Sequence, residues 1–238
     1  MANDVAVLIP CYNEQLTIGK VIDDFKEELP DAVIYVYDNN STDDSAMIAR
    51  QRGVKVISSP IQGKGAVVRQ MFSEIVADTY LMVDADATYP AMYAASLLEG
   101  LKKYDCDMVI GDRLSVNYYA DNKRRFHGFG NALTKFLVNF LYHGHAIDIA
   151  SGKQIPITDI MTGYRAFSQH FVKTIDLQSV GFEIETEMTI KAIKNGFKIG
   201  TVPVMYLDRP DGSYSKLSTF SDGRKVLKTI MQQRYQLS

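Results

Sequence analysis

The stretch that decides the fold is Tyr80-Leu81-Met82-Val83-Asp84-Ala85-Asp86-Ala87-Thr88-Tyr89-Pro90. An apolar run ends in two carboxylates spaced i, i+2, and a proline soon stops further pairing. In a strand, such positions share one side. Asp84 and Asp86 then face one crevice at the carboxyl end of a sheet strand, where ligands of open α/β sheets sit. No Lys or Arg lies in the run to partner them. Two hard oxygen donors side by side invite a divalent cation. Mg²⁺ typically takes one or two carboxylates and leaves its other positions to water and substrate phosphates. The competing reading is an acidic strand-to-helix turn with Asp as a helix cap.

Upstream of this run, short apolar segments alternate with helical periodicity. Val5-Ala-Val-Leu-Ile9 reads as a strand buried on both faces, and Pro10-Cys-Tyr-Asn-Glu14 follows it. Residues 15–28 place Leu16, Ile18, Val21, Ile22 and Phe25 on one helical stripe. Val33-Ile-Tyr-Val-Tyr37 is a second strand, and the polar turn Asp38-Asn-Asn-Ser-Thr-Asp43 leads into a helix that Gly53 closes. Val54-Lys-Val-Ile57 is a third strand, and Gly63-Lys64-Gly65 opens a helix running to 76. Downstream come a helix over 90–103 and the strand Met108-Val-Ile110, ending in Gly111-Asp-Arg113. This β-α alternation predicts a doubly wound, mostly parallel sheet. Gly-x-Gly-x-x-Gly is absent from the first loop, and Gly63-Lys64-Gly65 lacks the spacing and the following Ser/Thr of a P-loop.

Beyond residue 113 the pattern loosens. The basic cluster Asn122-Lys-Arg-Arg125 precedes a largely apolar helix over 126–142. Residues 143–156 are polar and contain glycine, which predicts a loop. Asp159-Ile-Met-Thr-Gly-Tyr-Arg165 follows, and Gly181-Phe182 opens a helix to about residue 195. A last strand spans 199–207, a turn-rich loop 208–216 and a final helix 218–234, where Phe220, Val226, Leu227, Ile230 and Met231 alternate with basic residues. One domain is expected, with a first half over about 1–113, a second half over about 114–217 and an amphipathic helix over about 218–238.

The 238 residues, 46% of them hydrophobic, suffice for one sizeable core. A net charge of -2 leaves no global basic field for nucleic acid. No apolar run approaches the roughly 18 residues of a membrane span, and the N-terminus lacks the pattern of a secretory signal. Cys11 and Cys106 are far apart in sequence and fit a reducing compartment. A cytosolic protein is expected.

Taken together, Ile9-Pro-Cys-Tyr-Asn-Glu14, Tyr37-Asp-Asn-Asn-Ser-Thr-Asp43, Gly63-Lys-Gly65, Asp84-Ala-Asp86, Gly111-Asp-Arg113, Thr162-Gly-Tyr-Arg165 and Ser213-Tyr-Ser-Lys216 resemble, in order and over nearly the whole chain, family 2 glycosyltransferases of the GT-A fold. The closest resemblance is to the branch that makes polyprenyl-phosphate sugars. Asn39 stands where the family has a second aspartate, and the resemblance puts the base contact on Asp38.

The resemblance implies an inverting enzyme that moves a hexose or N-acetylhexosamine from a nucleotide sugar to a polyprenyl phosphate. A UDP-linked donor is favoured over a GDP-linked one. Divalent metal, Mg²⁺ or Mn²⁺, is implied at Asp84 and Asp86, and basic groups must steady the departing diphosphate. Pro10, Tyr12, Glu14, Asp38, Asn40, Gly63, Lys64, Asp84, Ala85, Asp86 and Lys216 are the expected donor contacts. Lys64, between two glycines, can meet an anion with backbone N–H groups and an ammonium together. Its other reading is an exposed lysine at a helix start. Lys216, with Arg209 nearby, would close over the diphosphate from a mobile loop.

A lipid phosphate is already an anionic nucleophile and needs positive charge rather than a strong base. Arg113, Lys123, Arg124, Arg125, His127, Asn131 and Arg165 are the expected acceptor contacts, although residues 123–125 also fit a solvated charge run. Asp159 and Arg113 join Asp86 as candidate catalytic groups. For Asp159, a helix cap or an ion pair with Arg165 fits equally well. Glu183, Glu185 and Glu187 are either supports of the site or a solvated acidic face. Docking to the membrane falls to helices 126–142 and 218–234 or to a small membrane partner, and self-association stays open. Transfer to a glycan hydroxyl, or nucleotide-sugar binding without catalysis, are the alternative functions.

Overall fold

A computed structural model describes residues 4–115, 125–216 and 219–235; for 125–129 and 219–220 it gives the helical backbone alone. The first elements are β1 (Val5–Cys11), α1 (Ile18–Glu28), β2 (Val33–Asp38), α2 (Ser45–Gln51), β3 (Lys55–Ser58), α3 (Lys64–Glu74), β4 (Thr79–Met82), a 3₁₀ turn (Ala91–Tyr93) with α4 (Ala94–Lys103), and β5 (Met108–Asp112). Then follow α5 (Arg125–Tyr142), β6 (His145–Asp148), β7 (Gln154–Pro156), β8 (Arg165–Ser168), α6 (Gln169–Thr174), α7 (Ile184–Lys194), β9 (Ile199–Pro203) and α8 (Thr219–Tyr235).

The strands form one mixed sheet in the order β3-β2-β1-β4-β8-β5-β9-β6-β7. Its central strands β1, β4 and β5 are mostly apolar because both faces are covered. Ala6, Leu8, Tyr80, Met82, Met108 and Ile110 pack on one face against α3, α6, α7 and the apolar sides of α5 and α8. Val7, Ile9, Leu81, Val83 and Val109 pack on the other against α1, α2 and α4. Alternate residues of each strand thus serve opposite cores.

Two expectations are corrected. Residues 143–156 are not a plain loop: β6 and β7 form an antiparallel edge hairpin, and β6 pairs in parallel with β9. Strands of four and three residues carry too little alternation to announce themselves. The second is β8, which runs antiparallel between β4 and β5. Its sequence, Arg-Ala-Phe-Ser, opens on an arginine and gives no strand signal.

This inserted strand matters for the site. Met82 pairs with Arg165, so the 159–164 segment is delivered to the edge where β4 ends. Cys11 and Asp38 are register partners at the ends of β1 and β2, and Asp112 and Pro203 at the ends of β5 and β9. The loops after β1, β2, β4, β5 and β9 therefore converge with the 159–164 segment at one edge of the sheet.

Candidate active site

The loops after β1 and β2 are knitted together by side chains. Asn13 N–H donates to Ser41 Oγ at 2.9 Å, Thr42 N–H to Asn13 Oδ1 at 2.8 Å, and Glu14 N–H to Ser45 Oγ at 2.7 Å. Asn13 has φ 51°, a left-handed conformation that asparagine tolerates. The Ser/Thr/Asp content of the second turn thus positions the first, which carries Tyr12 and Glu14.

β4 stops at Met82, so Asp84 and Asp86 sit in the loop beyond it rather than in the strand. They still face one cleft, of about 450 Å³, together with Ala85. Ala87 follows at φ 58°, a strained conformation for alanine that turns the chain immediately after Asp86. Pro10, Tyr12 and Glu14 line the same cleft from the first loop, Gly63 and Lys64 from the start of α3, and Lys216 from the loop after β9.

The carboxylates are not unpartnered, as the local sequence suggested. Lys64 Nζ lies 2.5 Å from Asp84 Oδ1 and 2.6 Å from Glu185 Oε1. Burial opposes the Lys64 charge, but the two carboxylates outweigh it and raise the ammonium pKa. Arg209 Nη2 lies 2.6 Å from Asp86 Oδ2, and its Nη1 3.0 Å from Glu14 Oε1. Lys216 Nζ reaches Glu14 Oε1 at 2.6 Å. Asp86 Oδ1 accepts from the Thr88 N–H at 3.1 Å and hydroxyl at 2.5 Å. Burial first, and then the neighbouring Asp84, push the Asp86 carboxyl above its usual range.

The glycines of Gly63-Lys64-Gly65 also serve a close contact within the protein. A Cβ at either glycine would collide with the backbone of Ser179 and Val180. Ala66 N–H donates to Val180 O at 3.1 Å, so one amide of the first helical turn is already used. Two of the three glutamates of the following segment hold that backbone in place, and the third, Glu185, pairs with Lys64. Glu187 accepts from the N–H groups of Gln178 and Ser179, and Glu183 from those of Val180 and Gly181. Glu183, Glu185 and Glu187 are 9%, 3% and 1% exposed, which rules out the solvated acidic face.

Asn39, rather than Asp38 or Asn40, lines the cleft. Asn39 Nδ2 donates to Ser59 O and Ile61 O, and its Oδ1 accepts from Gly63 N–H at 2.8 Å, so it shapes the loop before α3. Asn40 Nδ2 binds Pro60 O. Asp38 Oδ1 is buried and accepts no hydrogen bond from the described residues.

Arg113 and Asp159 form a buried bidentate pair, with Nε–Oδ2 2.7 Å and Nη2–Oδ1 2.9 Å, and the Arg113 N–H donates to Oδ2 at 3.1 Å. The guanidinium lies 5.1 Å from the Tyr206 ring centroid. Asp159 is thus tied to Arg113 and not to Arg165. Arg165 is fully buried and donates to Thr162 O, Ile160 O and Thr189 Oγ1. Burial pulls its pKa down to about 10, so it remains protonated as an internal strut, away from the expected acceptor contact. Neither Arg113 nor Asp159 lines the cleft, and half-buried Asn131 does not either. Lys123 and Arg124, and the side chains of Arg125 and His127, lie outside the described residues. Cys11 lines the cleft, but burial pushes its thiol up to about 12, so it is no nucleophile.

Arg209 lines the cleft beside Lys216 and Glu183 lines it as well, whereas Phe182, Asp222 and Lys225 line it without any assignment to it from sequence. Asp222 and Lys225 stand on the first turns of α8, whose acidic and basic residues read only as its polar face.

Comparison with known proteins accords with this geometry. The profile of "Glycosyl transferase family 2" matches residues 6–175. The chain is 36% identical over 224 residues to glycosyltransferase AglJ of Haloferax volcanii, covering 92% of this chain and 68% of that protein. It is 28% identical to the dolichyl-phosphate hexose transferase of the same organism, covering 97% of this chain and 93% of that one. A crystal structure of Mycobacterium tuberculosis glucosyl-3-phosphoglycerate synthase, in complex with Mn²⁺, UDP-glucose and glycerol 3-phosphate, matches with a TM-score of 0.76 at 18% identity, over 98% of this chain and 80% of that one. At that identity the likeness establishes the fold, which is the expected GT-A sheet. With the family profile covering most of its length and its motifs gathered at one sheet edge, the chain belongs to glycosyl transferase family 2.

Proposed function

We propose that the protein transfers a hexose or N-acetylhexosamine, with inversion, from a nucleotide sugar to a polyprenyl phosphate, using a divalent cation. The observation that carries this reading is the meeting of Asp84 and Asp86 with Lys64, Arg209 and Lys216 in one cleft. A nucleoside diphosphate and its cation need both signs of charge at close quarters. A UDP-linked donor is the first to try.

The residues fit a hard divalent cation. Asp84 and Asp86 offer two hard carboxylate donors side by side in the cleft. Among the described residues no cluster of three or more acidic, His or Cys groups is ready to hold a metal. That composition suits Mg²⁺ or Mn²⁺ completed by phosphate oxygens and water. When bound, such a cation supplies charge neutralisation to the departing diphosphate. Lys64 orients Asp84, Thr88 orients Asp86, and Arg209 and Lys216 bring donors from the loop over the cleft. Transfer to a sugar hydroxyl would require a free general base, whereas both oxygens of Asp159 are held by Arg113.

The test is a screen of UDP- and GDP-linked sugars with Mn²⁺ or Mg²⁺, measuring released nucleotide with and without a short polyprenyl phosphate. Release that requires the lipid phosphate supports the reading. Release with glycan acceptors alone would overturn it. A sharper check uses Gly163, whose N–H donates to Tyr89 Oη at 3.1 Å. A Cβ there would collide with the Asp84 carboxylate. Gly163→Ala should reduce kcat/KM for the donor by roughly 10- to 100-fold, the scale of a small misplacement in a catalytic site. Kinetics within twofold of wild type would contradict the role given to Asp84.

Access to a lipid acceptor falls to α5 and α8. No helix among the described residues is long and apolar enough to cross a membrane. Phe136 and Phe140 on α5 are exposed and stacked, with ring centroids 5.7 Å apart. Leu227, Met231 and Tyr235 are exposed on α8, at spacing i, i+4, i+8, beside exposed Arg224 and Lys228. Arg234 Nη1 donates to Leu141 O at 3.2 Å and joins the two helices. Apolar groups flanked by basic ones suit the interface of an anionic bilayer, at the cytoplasmic face in this reading. Replacing both Phe136 and Phe140 by Ser should cut co-sedimentation with phosphatidylglycerol vesicles by roughly tenfold. Unchanged sedimentation would reject this surface.

A further inference from the structure

Arg209 stands where a cation belongs. It bridges Asp86 Oδ2 and Glu14 Oε1, and the same Nη1 also donates to Ser213 Oγ at 3.1 Å and Tyr214 O at 3.3 Å. Loop 208–216 therefore holds the guanidinium in place through its own acceptors. The other oxygen of Asp86 is occupied by Thr88. While Arg209 stays, Asp86 has both oxygens engaged. Glu14 is in the same condition: Lys216 binds Oε1, and Thr17 and Ser213 hydroxyls donate to Oε2 at 3.2 and 3.4 Å. Asp84 Oδ1 is held by Lys64.

The side chains involved are mostly shielded from water. Those of Asp86, Glu14 and Arg209 are 6%, 8% and 13% exposed. Breaking one partner from a shielded pair leaves an uncompensated charge, which is strongly unfavourable. A lone divalent cation would have to displace Arg209 from Asp86 and strand the guanidinium. A lone diphosphate would have to draw Arg209 or Lys216 away and strand the carboxylates. Cation and diphosphate arriving together give every displaced group a new partner of opposite sign.

We infer that Arg209 is a built-in counter-cation that keeps Asp86 closed to metal until a nucleoside diphosphate arrives, so that cation and donor load as a pair. This rests on the function proposed above and adds to it an obligatory coupling between its two ligands. It also assigns Arg209 a positioning role distinct from holding the diphosphate: it competes with the metal. Reciprocity follows, since whatever factor the diphosphate adds to metal affinity the metal adds to diphosphate affinity.

Calorimetry with Mn²⁺ alone, with UDP or GDP alone, and with both together tests this on wild type, Arg209→Gln and Arg209→Lys. Wild type should take up the mixture at least about tenfold more tightly than either component alone. Arg209→Gln should bind Mn²⁺ alone roughly tenfold more tightly than wild type, about 1.4 kcal/mol. Arg209→Lys, which restores a cation, should return Mn²⁺ affinity towards the wild-type value. Equal Mn²⁺ affinity in wild type and Arg209→Gln would overturn the inference, as would Gln and Lys variants that behave alike. Wild-type Mn²⁺ binding that is indifferent to nucleotide overturns it without any variant. Failure of wild type to bind either nucleotide with Mn²⁺ would remove the proposed function itself; binding of the mixture with no gain in Arg209→Gln removes only the counter-cation.

Discussion

Asp86→Asn should lower glycosyl transfer by roughly 10²- to 10³-fold, the loss expected when one preorganised electrostatic partner of a developing charge is removed. Asparagine keeps an Oδ1 that can accept from the Thr88 N–H and hydroxyl, so the turn retains its hydrogen bonds. What is lost is a formal charge on the face opposed to Arg209. In the proposed reaction, that charge holds the cation that neutralises the leaving diphosphate. Fold loss is not expected, because Arg209 keeps Glu14 Oε1 at 3.0 Å as a partner of opposite charge. The check is nucleotide release under the conditions that serve wild type, with a thermal melt beside it. A variant that keeps a third or more of wild-type turnover would show that Asp86 is outside the chemistry.

The second large effect is on stability. Asp159→Asn should lower the melting temperature by about 10 °C, since removing one partner of a buried ion pair destabilises by roughly 3–5 kcal/mol and each kcal/mol shifts a chain of this size by about 2–4 °C. Asp159 is 1% exposed and holds the Arg113 side chain through two parallel hydrogen bonds. Without the carboxylate charge, a buried guanidinium is left against Tyr206 and Tyr89. The melt, followed by circular dichroism, discriminates between roles. A shift below about 2 °C with transfer abolished would instead make Asp159 a reacting group.

These two residues illustrate what the sequence made legible. The i, i+2 spacing of Asp84 and Asp86, after an apolar run, pointed to one crevice, and both carboxylates line it. That inference needed only local geometry. Their partners did not follow from local geometry: Lys64 is 20 positions from Asp84, and Arg209 is 123 from Asp86. Charge pairing across such distances depends on strand order, and the strand order depended on β8. A four-residue antiparallel strand opening on a buried arginine has no periodicity to read. It is also why Arg165 was given to the acceptor, when its guanidinium instead braces the turn that carries Gly163.

Of the two readings of Glu183, Glu185 and Glu187, local sequence could not choose the supporting one for a related reason. Their alternation fits a polar face as well as a supporting role, because nothing in sequence shows that the backbone of 178–181 lies against the start of α3. Once it does, the unpaired N–H groups of that segment need acceptors, and buried carboxylates are strong ones. The glycines of Gly63-Lys64-Gly65 belong to the same contact. They permit close backbone approach, as glycines often do, but the approaching group is protein rather than phosphate.

The most direct measurement is a crystal structure with Mn²⁺ and UDP, or GDP if that nucleotide binds better. The account predicts the diphosphate and cation in the cleft beside Asp84 and Asp86, with Arg209 no longer paired to Asp86. Nucleotide bound elsewhere on the molecule, or bound in the cleft with the Arg209–Asp86 pair still closed at 2.6 Å, would contradict it.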